Sequence, residues 1–228
     1  MEKLMIDGIP AILWGEPSDT VYLWVHGKMS CKEEAENFAR IAQTRGYQTL
    51  SFDLPEHGDR KGELDRCDIF NGVRDLEVIG DYVFSHWKKV SLYGCSLGAF
   101  FALHAYSDKS FERCLFQSPI VDMEYLVKQM MLWFDISMER LQREGEIDTP
   151  VDPLRWDYYQ YIKAHPIGQW NPPTAILYGG RDTLQSEEVI HRFAEKFDCQ
   201  VTIAPESDHP FGGEKDGEIV NLLLEKNI

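Results

Sequence analysis

The sequence predicts an α/β protein with a mostly parallel sheet and helices on both faces. Short apolar runs alternate with longer stretches of helical spacing along most of the chain, and this alternation is typical of strands joined by helical crossovers. Polar side chains stand at or just after the ends of the apolar runs: His26, Asp53, Ser96, Ser118, Asp182 and His209. Because ligands and catalytic groups gather at the carboxyl ends of parallel strands, we expect a functional site there.

The first third of the chain predicts a β-hairpin, two further strands and one helix. Residues 4–6 and 9–14 flank Asp-Gly, the strongest short-range signal for a tight β-hairpin. Residues 21–25 are almost continuously apolar, as expected for a strand covered on both faces. Residues 31–45 show helical spacing, and residues 47–53 predict the next strand.

The middle of the chain contains the motif around which the rest is organised. A charged segment at residues 60–70 predicts a loop, and residues 73–87 predict a helix. The apolar run 90–93 then leads into Gly94-Cys95-Ser96-Leu97-Gly98, with a second apolar run behind it. Gly-x-Ser-x-Gly between a strand and a helix is the nucleophile-elbow pattern. The small residues leave room for a sharp turn that exposes Ser96 Oγ, and the N–H of Leu97 points into the same space.

The pattern changes after the strand that is predicted at residues 111–117. Residues 120–171 show no strand signal but many aromatic and methionine side chains. We interpret this segment as a helical cap of two or three helices inserted between strands of a single domain, residues 1–228. Its large apolar side chains predict a substrate-binding contribution from Trp133, Trp156 and Tyr159, although ordinary helix packing explains the same composition.

Regular alternation returns in the last quarter of the chain. Residues 174–178 and 200–204 predict strands, and residues 186–197 and 214–225 predict helices. Ser186 is a suitable N-cap for the first of these helices. Asp182 follows the earlier strand and His209 follows the later one.

Composition excludes several classes of function. The net charge of −15 disfavours nucleic-acid binding, which needs a basic face, and no apolar run is long enough to span a membrane. The five cysteines are scattered without a Cys-x-x-Cys pair, and the first residues lack a signal-peptide core. We therefore expect a cytoplasmic protein without membrane insertion, disulfides or a metal site. No phosphate-binding or dinucleotide-binding motif occurs, so no cofactor is expected.

The chain resembles the α/β-hydrolase superfamily over essentially its whole length. The resemblance rests on the elbow and on the order Ser96, Asp182, His209, which is the nucleophile, acid and base order of that fold. It implies that Ser96 is the nucleophile, His209 the general base and Asp182 its orienting acid. His26-Gly27 matches the oxyanion loop of these enzymes, which implies that the backbone N–H groups of Lys28 and Leu97 form the oxyanion hole. Asp53-x-Pro-x-x-Gly58 is similar to a structural segment of the superfamily, with Glu56-His57 as a departure.

The resemblance leaves some alternatives open. Asp122 also follows a strand end and is a second candidate for the acid, although we favour Asp182. The function that is implied is hydrolysis of a small-molecule carboxylic ester through an acyl-enzyme. The alternatives are a peptidase or amidase of the same fold and a non-catalytic binding protein on a hydrolase scaffold. Neither the natural substrate nor the oligomeric state follows from the sequence.

Overall fold

An eight-stranded sheet forms the centre of the protein in the computed structural model, which describes residues 1–228. Its strands are β1 Glu2–Ile6, β2 Ile9–Trp14, β3 Thr20–Val25, β4 Gln48–Phe52, β5 Lys89–Cys95, β6 Cys114–Gln117, β9 Thr174–Gly179 and β10 Gln200–Ala204. They lie in the order β1-β2-β4-β3-β5-β6-β9-β10. β2 pairs antiparallel with both β1 and β4, and all other neighbours are parallel.

Eight α-helices surround this sheet, which confirms the predicted fold class. They are α1 Glu36–Gln43, α2 Ile69–His86, α3 Leu97–Ala105, α4 Met123–Trp133, α5 Met138–Glu144, α6 Trp156–Ala164, α7 Glu187–Phe197 and α8 Asp216–Asn227. The side chains of β3 alternate between two hydrophobic cores: Val21 and Leu23 belong to the larger core, and Tyr22 and Trp24 to the smaller one. α2, α3 and α7 contribute to the larger core, whereas α1 and α8 cover the other face. No helix is both long and apolar enough to cross a membrane.

Two helices start four or more residues away from the predicted position, each for a local reason. α2 begins at Ile69 instead of residue 73, because the Asp68 carboxylate accepts hydrogen bonds from the N–H groups of Phe70 and Asn71 at 3.1 Å each. The helix predicted at residues 31–45 starts as a 3₁₀ turn, Lys32–Ala35. There the buried Lys32 ammonium contacts the Asp53 carboxylate at 2.6 Å, so this turn is fixed by the segment that follows β4.

The inserted segment between β6 and β9 contains α4, α5, α6 and a small hairpin. The prediction that this segment contains no strand is wrong, because β7 Glu146–Ile147 pairs with β8 Leu154–Arg155. Strands of two residues are too short to show the alternation by which a strand is recognised. The segment 146–155 forms the strap, a name used below for this hairpin and its connecting loop.

Candidate active site

Ser96 lies in a strained turn between β5 and α3. Its backbone has φ 48° and ψ −117°, a conformation that side-chain-bearing residues rarely adopt and that persists only where the surroundings impose it. A Cβ atom at Gly98 would lie 2.2 Å from the carbonyl oxygen of His26, and one at Gly94 would lie 3.0 Å from Cα of Ala99. The glycines are therefore required by the close approach of strand, helix and neighbouring loop, as the elbow pattern predicts.

Ser96, His209 and Asp182 form a continuous hydrogen-bonded chain. Ser96 Oγ lies 2.8 Å from His209 Nε2, and His209 Nδ1 lies 2.7 Å from Asp182 Oδ2. The Asp182 side chain is 1% exposed and the His209 side chain 15%. The carboxylate thus holds one side of the imidazole in a nearly dry environment, while the other side faces the serine hydroxyl.

The second candidate acid, Asp122, lies elsewhere. Its carboxylate caps α4 by accepting a hydrogen bond from the N–H of Tyr125 at 2.8 Å. Asp182 uses its other oxygen, Oδ1, to accept a hydrogen bond from the N–H of Leu184 at 2.7 Å. The turn after β9 therefore orients the Asp182 carboxylate toward His209, and the geometry gives Asp122 no part in this chain.

Ser118 positions the backbone of His209, a role that the sequence did not indicate. Its hydroxyl donates a hydrogen bond to the carbonyl oxygen of His209 at 2.7 Å. Ser118 is fully buried and has φ 44°, so it lies in a tight turn directly after β6. Its position after a predicted strand indicates that Ser118 lies at the functional edge of the sheet, but nothing in the sequence identifies the loop that it contacts.

The loop after β3 packs against the elbow. A Cβ atom at Gly27 would lie 3.1 Å from the Cβ of Ser96, so glycine permits this approach without displacing the serine. The next N–H, that of Lys28, has no protein acceptor. Leu97 is the first residue of α3, and its N–H has no acceptor within the helix. Both predicted oxyanion donors are therefore near Ser96 and free to donate.

Comparison with solved structures matches this fold over its full length. Est1E from Butyrivibrio proteoclasticus, solved with ferulic acid bound, is similar with a TM-score of 0.81 and 18% identity, covering 99% of this chain and 97% of that one. Mouse alpha/beta hydrolase domain-containing protein 10 is similar with a TM-score of 0.77 and 18% identity, covering 96% and 92%. The chain has the α/β-hydrolase fold.

A third similar structure is the monoacylglycerol lipase of Paleococcus ferrophilus, with a TM-score of 0.68 and 17% identity, covering 99% of this chain and 98% of that one. No protein-family model and no curated protein sequence matches the chain. At identities of 17–18%, these comparisons show a shared fold. The predicted resemblance is therefore confirmed for the α/β-hydrolase fold.

A cavity of about 480 Å³ opens beside Ser96 between the sheet and the inserted segment. One wall is apolar and is formed by a stripe along α4 together with neighbouring side chains: Met123, Leu126, Val127, Met130, Ile120 and Leu184. The four α4 residues have the i, i+3, i+4, i+7 spacing of one helix face. Ile120 N–H donates to the carbonyl oxygen of Ser96 at 3.2 Å, so this wall begins at Ser96.

The opposite wall of the cavity is charged, and three ion pairs join the strap to the rest of the protein across it. Arg66 contacts both carboxylate oxygens of Glu146 at 3.0 Å. Arg155 contacts Asp68 at 2.7 Å. The Lys28 ammonium pairs with the carboxylate of Asp152 and donates to the carbonyl oxygen of Val151 at 3.2 Å. The Lys28 side chain is therefore occupied by the strap.

The expectation that Trp133, Trp156 and Tyr159 contact the substrate is wrong for this cavity. None of the three lines it. Trp133 is 43% exposed at the end of α4, and Trp156 stacks on Tyr159, with ring centroids 5.7 Å apart. Tyr158 lines the cavity instead. Aromatic composition indicated a packed helical segment, but the rotation of α6 decides which aromatic residue faces Ser96.

Two cysteines near the site remain protonated thiols. Burial raises the pKa of Cys95, beside Ser96, to about 12, and it raises the pKa of Cys67, in the cavity wall, to about 12. A thiol with such a pKa is a poor nucleophile near neutral pH. Ser96 is the one hydroxyl or thiol in the cavity wall that has a histidine nitrogen within hydrogen-bond distance.

Proposed function

We propose that the protein is a serine hydrolase that cleaves carboxylic esters through an acyl-enzyme. The observation that supports this most strongly is the hydrogen-bonded chain from Ser96 Oγ through His209 to Asp182, with distances of 2.8 and 2.7 Å. A serine hydroxyl is weakly nucleophilic at neutral pH, and an imidazole within hydrogen-bond reach removes its proton as it attacks. This chain supplies that base together with the group that orients it.

In the first half of the reaction, Ser96 Oγ attacks the ester carbonyl carbon and its proton moves to His209 Nε2. The carbonyl oxygen becomes an oxyanion, which accepts hydrogen bonds from the N–H groups of Lys28 and Leu97. Asp182 stabilises the imidazolium and keeps its Nδ1–H directed at the carboxylate. Collapse of the intermediate breaks the bond to the alcohol oxygen, which takes the proton from His209.

In the second half, water replaces the alcohol. His209 takes a proton from the water as it attacks the acyl carbon of acylated Ser96, a second oxyanion forms, and the carboxylic acid leaves as the proton returns to Ser96 Oγ. Both halves use the same groups, so the loss of any one of them affects acylation and deacylation alike.

The proposed substrate is a neutral ester with an apolar acyl or aryl group. The apolar stripe of α4 starts beside Ser96 and offers a surface for such a group, while the cavity volume of about 480 Å³ suits a small molecule. Two similar structures agree with this proposal: Est1E has ferulic acid bound, and the Paleococcus ferrophilus protein is a monoacylglycerol lipase.

The charge of the cavity wall disfavours substrates that carry a carboxylate. Five acidic residues and three basic residues line the cavity, which leaves a formal charge of −2: Glu56, Asp68, Glu146, Asp148 and Asp152, against Lys28, Arg66 and Arg155. Each basic side chain is already paired with one of the acids. Arg181, the other cation that the sequence places at a strand end near the site, pairs with Glu206. No free cation is left to bind an anionic substrate.

Hydrolysis of three matched compounds tests the proposal: 4-nitrophenyl butyrate, the corresponding 4-nitroanilide and the 4-nitrophenyl monoester of succinic acid. The expected order of kcat/KM is butyrate ester first, with the anilide slowest, and Ser96→Ala should lower kcat on the ester by on the order of 10⁶-fold. Faster cleavage of the anilide would favour the amidase alternative. Absence of turnover on all three, or wild-type turnover by Ser96→Ala, would reject the proposal.

A further inference from the structure

Two buried histidines that take no part in the proposed proton transfers bind the loop that contains the Lys28 N–H. His26 is inaccessible to solvent and His57 is 7% exposed. Their ring centroids lie 5.2 Å apart, between the loop after β3 and the loop after β4. Each ring makes one hydrogen bond with each of its nitrogens, so both are fully committed to these two loops.

His26 sets the direction of the Lys28 N–H. Its Nε2 accepts a hydrogen bond from the N–H of Leu54 at 3.0 Å, so in the neutral ring the proton is on Nδ1. Nδ1–H then donates to the carbonyl oxygen of Gly27 at 2.7 Å. In a planar trans peptide the C=O and N–H point in opposite directions. Because Gly27 C=O and Lys28 N–H belong to one peptide, the imidazole holds this N–H directed away from itself.

His57 fixes the next peptide of the same loop. The N–H of Met29 donates to its Nε2 at 3.0 Å, and its Nδ1–H donates to the carbonyl oxygen of Pro55 at 2.7 Å. Met29 has φ 64°, a left-handed conformation that costs free energy in a residue with a side chain. The hydrogen bond to His57 compensates for this strain and keeps the turn at residues 28 and 29 in place.

His57 is itself held by a tight turn. Its N–H donates to the carbonyl oxygen of Leu54 at 3.1 Å, Pro55 occupies the second position of the turn, and Glu56 occupies the third with φ 64°. Proline second and a positive φ third are the features of a type II turn. The imidazole therefore projects from a rigid support, which suits it to fix a neighbouring loop rather than to adapt to it.

We propose that His57 is a positioning residue: by accepting the N–H of Met29 it holds, together with His26, the peptide whose Lys28 N–H binds the oxyanion. This inference rests on the proposed function, because the direction of that N–H affects a reaction only where an oxyanion forms at Ser96. His57 touches neither the substrate nor the reacting atoms, and it acts through Met29 and Lys28.

Two amide substitutions separate the hydrogen bonds of His57. In His57→Asn the amide occupies the position of Nδ1, so it can donate to Pro55 but has no acceptor that reaches Met29 N–H. In His57→Gln the amide reaches the position of Nε2, and its oxygen can accept that N–H. His191→Asn, on the exposed surface of α7, is the matched control for loss of an imidazole.

The readouts are kcat and KM for 4-nitrophenyl butyrate, the affinity for n-butylboronic acid and the melting temperature. Boronates bind covalently to the serine and resemble the tetrahedral intermediate. Displacement of one oxyanion donor costs roughly 100-fold in rate. We expect kcat of His57→Asn to fall about 100-fold and its boronate Kd to rise by a similar factor, with KM within threefold. His57→Gln should recover at least tenfold of that loss, and His191→Asn should match the wild type.

The inference and the proposed function fail in different ways. If the wild type neither hydrolyses esters nor binds the boronate, the proposed function is wrong and the inference falls with it. If the wild type is active and His57→Asn keeps wild-type kcat and boronate affinity below its melting temperature, His57 has a structural role only. Equal losses in His57→Asn and His57→Gln would also overturn the inference, because the acceptor at Nε2 would then be irrelevant.

Discussion

Replacement of Asp182 by asparagine should reverse the tautomer of His209. Asp182 Oδ1 accepts the N–H of Leu184 at 2.7 Å and the N–H of Gln185 at 3.3 Å. These backbone donors require an oxygen at that position, so the introduced asparagine must place its NH₂ group where Oδ2 now accepts from His209 Nδ1. His209 Nδ1 would then become an acceptor, the proton would move to Nε2, and Ser96 Oγ would lose its base.

The expected loss in kcat is roughly 10⁴-fold, as for a serine hydrolase whose histidine is held in the wrong tautomer. This factor corresponds to about 5.4 kcal/mol of transition-state stabilisation. The two side chains are isosteric and the amide oxygen keeps both backbone contacts, so the melting temperature should change little.

The assay is hydrolysis of 4-nitrophenyl butyrate, with a melting curve for each variant. Asp122→Asn is the matched control, because Asp122 is also an aspartate after a strand end, but its carboxylate caps α4 and lies 3.8 Å from Arg192. It should keep kcat within threefold. Wild-type kcat in Asp182→Asn, or an equal loss in Asp122→Asn, would refute this account of the acid.

Three further predictions concern the pH dependence of stability, the elbow and the cavity wall. Burial lowers the pKa of His26 from 6.5 to about 4, so its contribution to stability is present above pH 6.5 and is lost as the pH falls toward 4. Urea denaturation should show that the free energy of unfolding falls by about 3 kcal/mol over this pH range, and His26→Asn should abolish this pH dependence. If the variant kept the pH profile of the wild type, His26 would not be the titrating group. Gly98→Ala places a Cβ against a carbonyl oxygen at 2.2 Å and should cost about 3 kcal/mol of unfolding free energy, whereas Gly217→Ala, in open space on α8, should cost nothing; equal effects would contradict the steric argument. Met130 lies about 10 Å along α4 from Met123, so Met130→Ala makes room for a long acyl chain but not for a short one. The ratio of kcat/KM for the octanoyl over the butyryl 4-nitrophenyl ester should therefore rise. An unchanged ratio would show that acyl groups do not reach Met130.

The fold and the Ser96 elbow could be predicted because local patterns specify them. The alternation of strands and helices sets the sheet, and the close contacts around Ser96 require glycines within two residues of it in sequence. Asp182 and His209 were also predictable as candidates, because strand ends of a parallel sheet meet at one edge.

The details of the cavity could not be predicted, because they depend on contacts between distant segments. Tyr158 and Tyr159 are adjacent and chemically identical, yet only the rotation of α6 places Tyr158 at the cavity. The ion pair between Asp68 and Arg155 joins residues 87 positions apart. His57 likewise contacts Met29 across 28 positions, and its sequence neighbours gave no sign of that partner.

Modification by a fluorophosphonate, with the labelled residue mapped by peptide mass spectrometry, tests most directly whether Ser96 is the nucleophile. This reagent phosphonylates a serine that is activated by a neighbouring base. We expect one adduct per wild-type chain, on Ser96, and none in Ser96→Ala, with greatly slowed labelling in Asp182→Asn. An unlabelled wild-type protein, or an adduct that persists in Ser96→Ala, would contradict the assignment of Ser96 as the nucleophile.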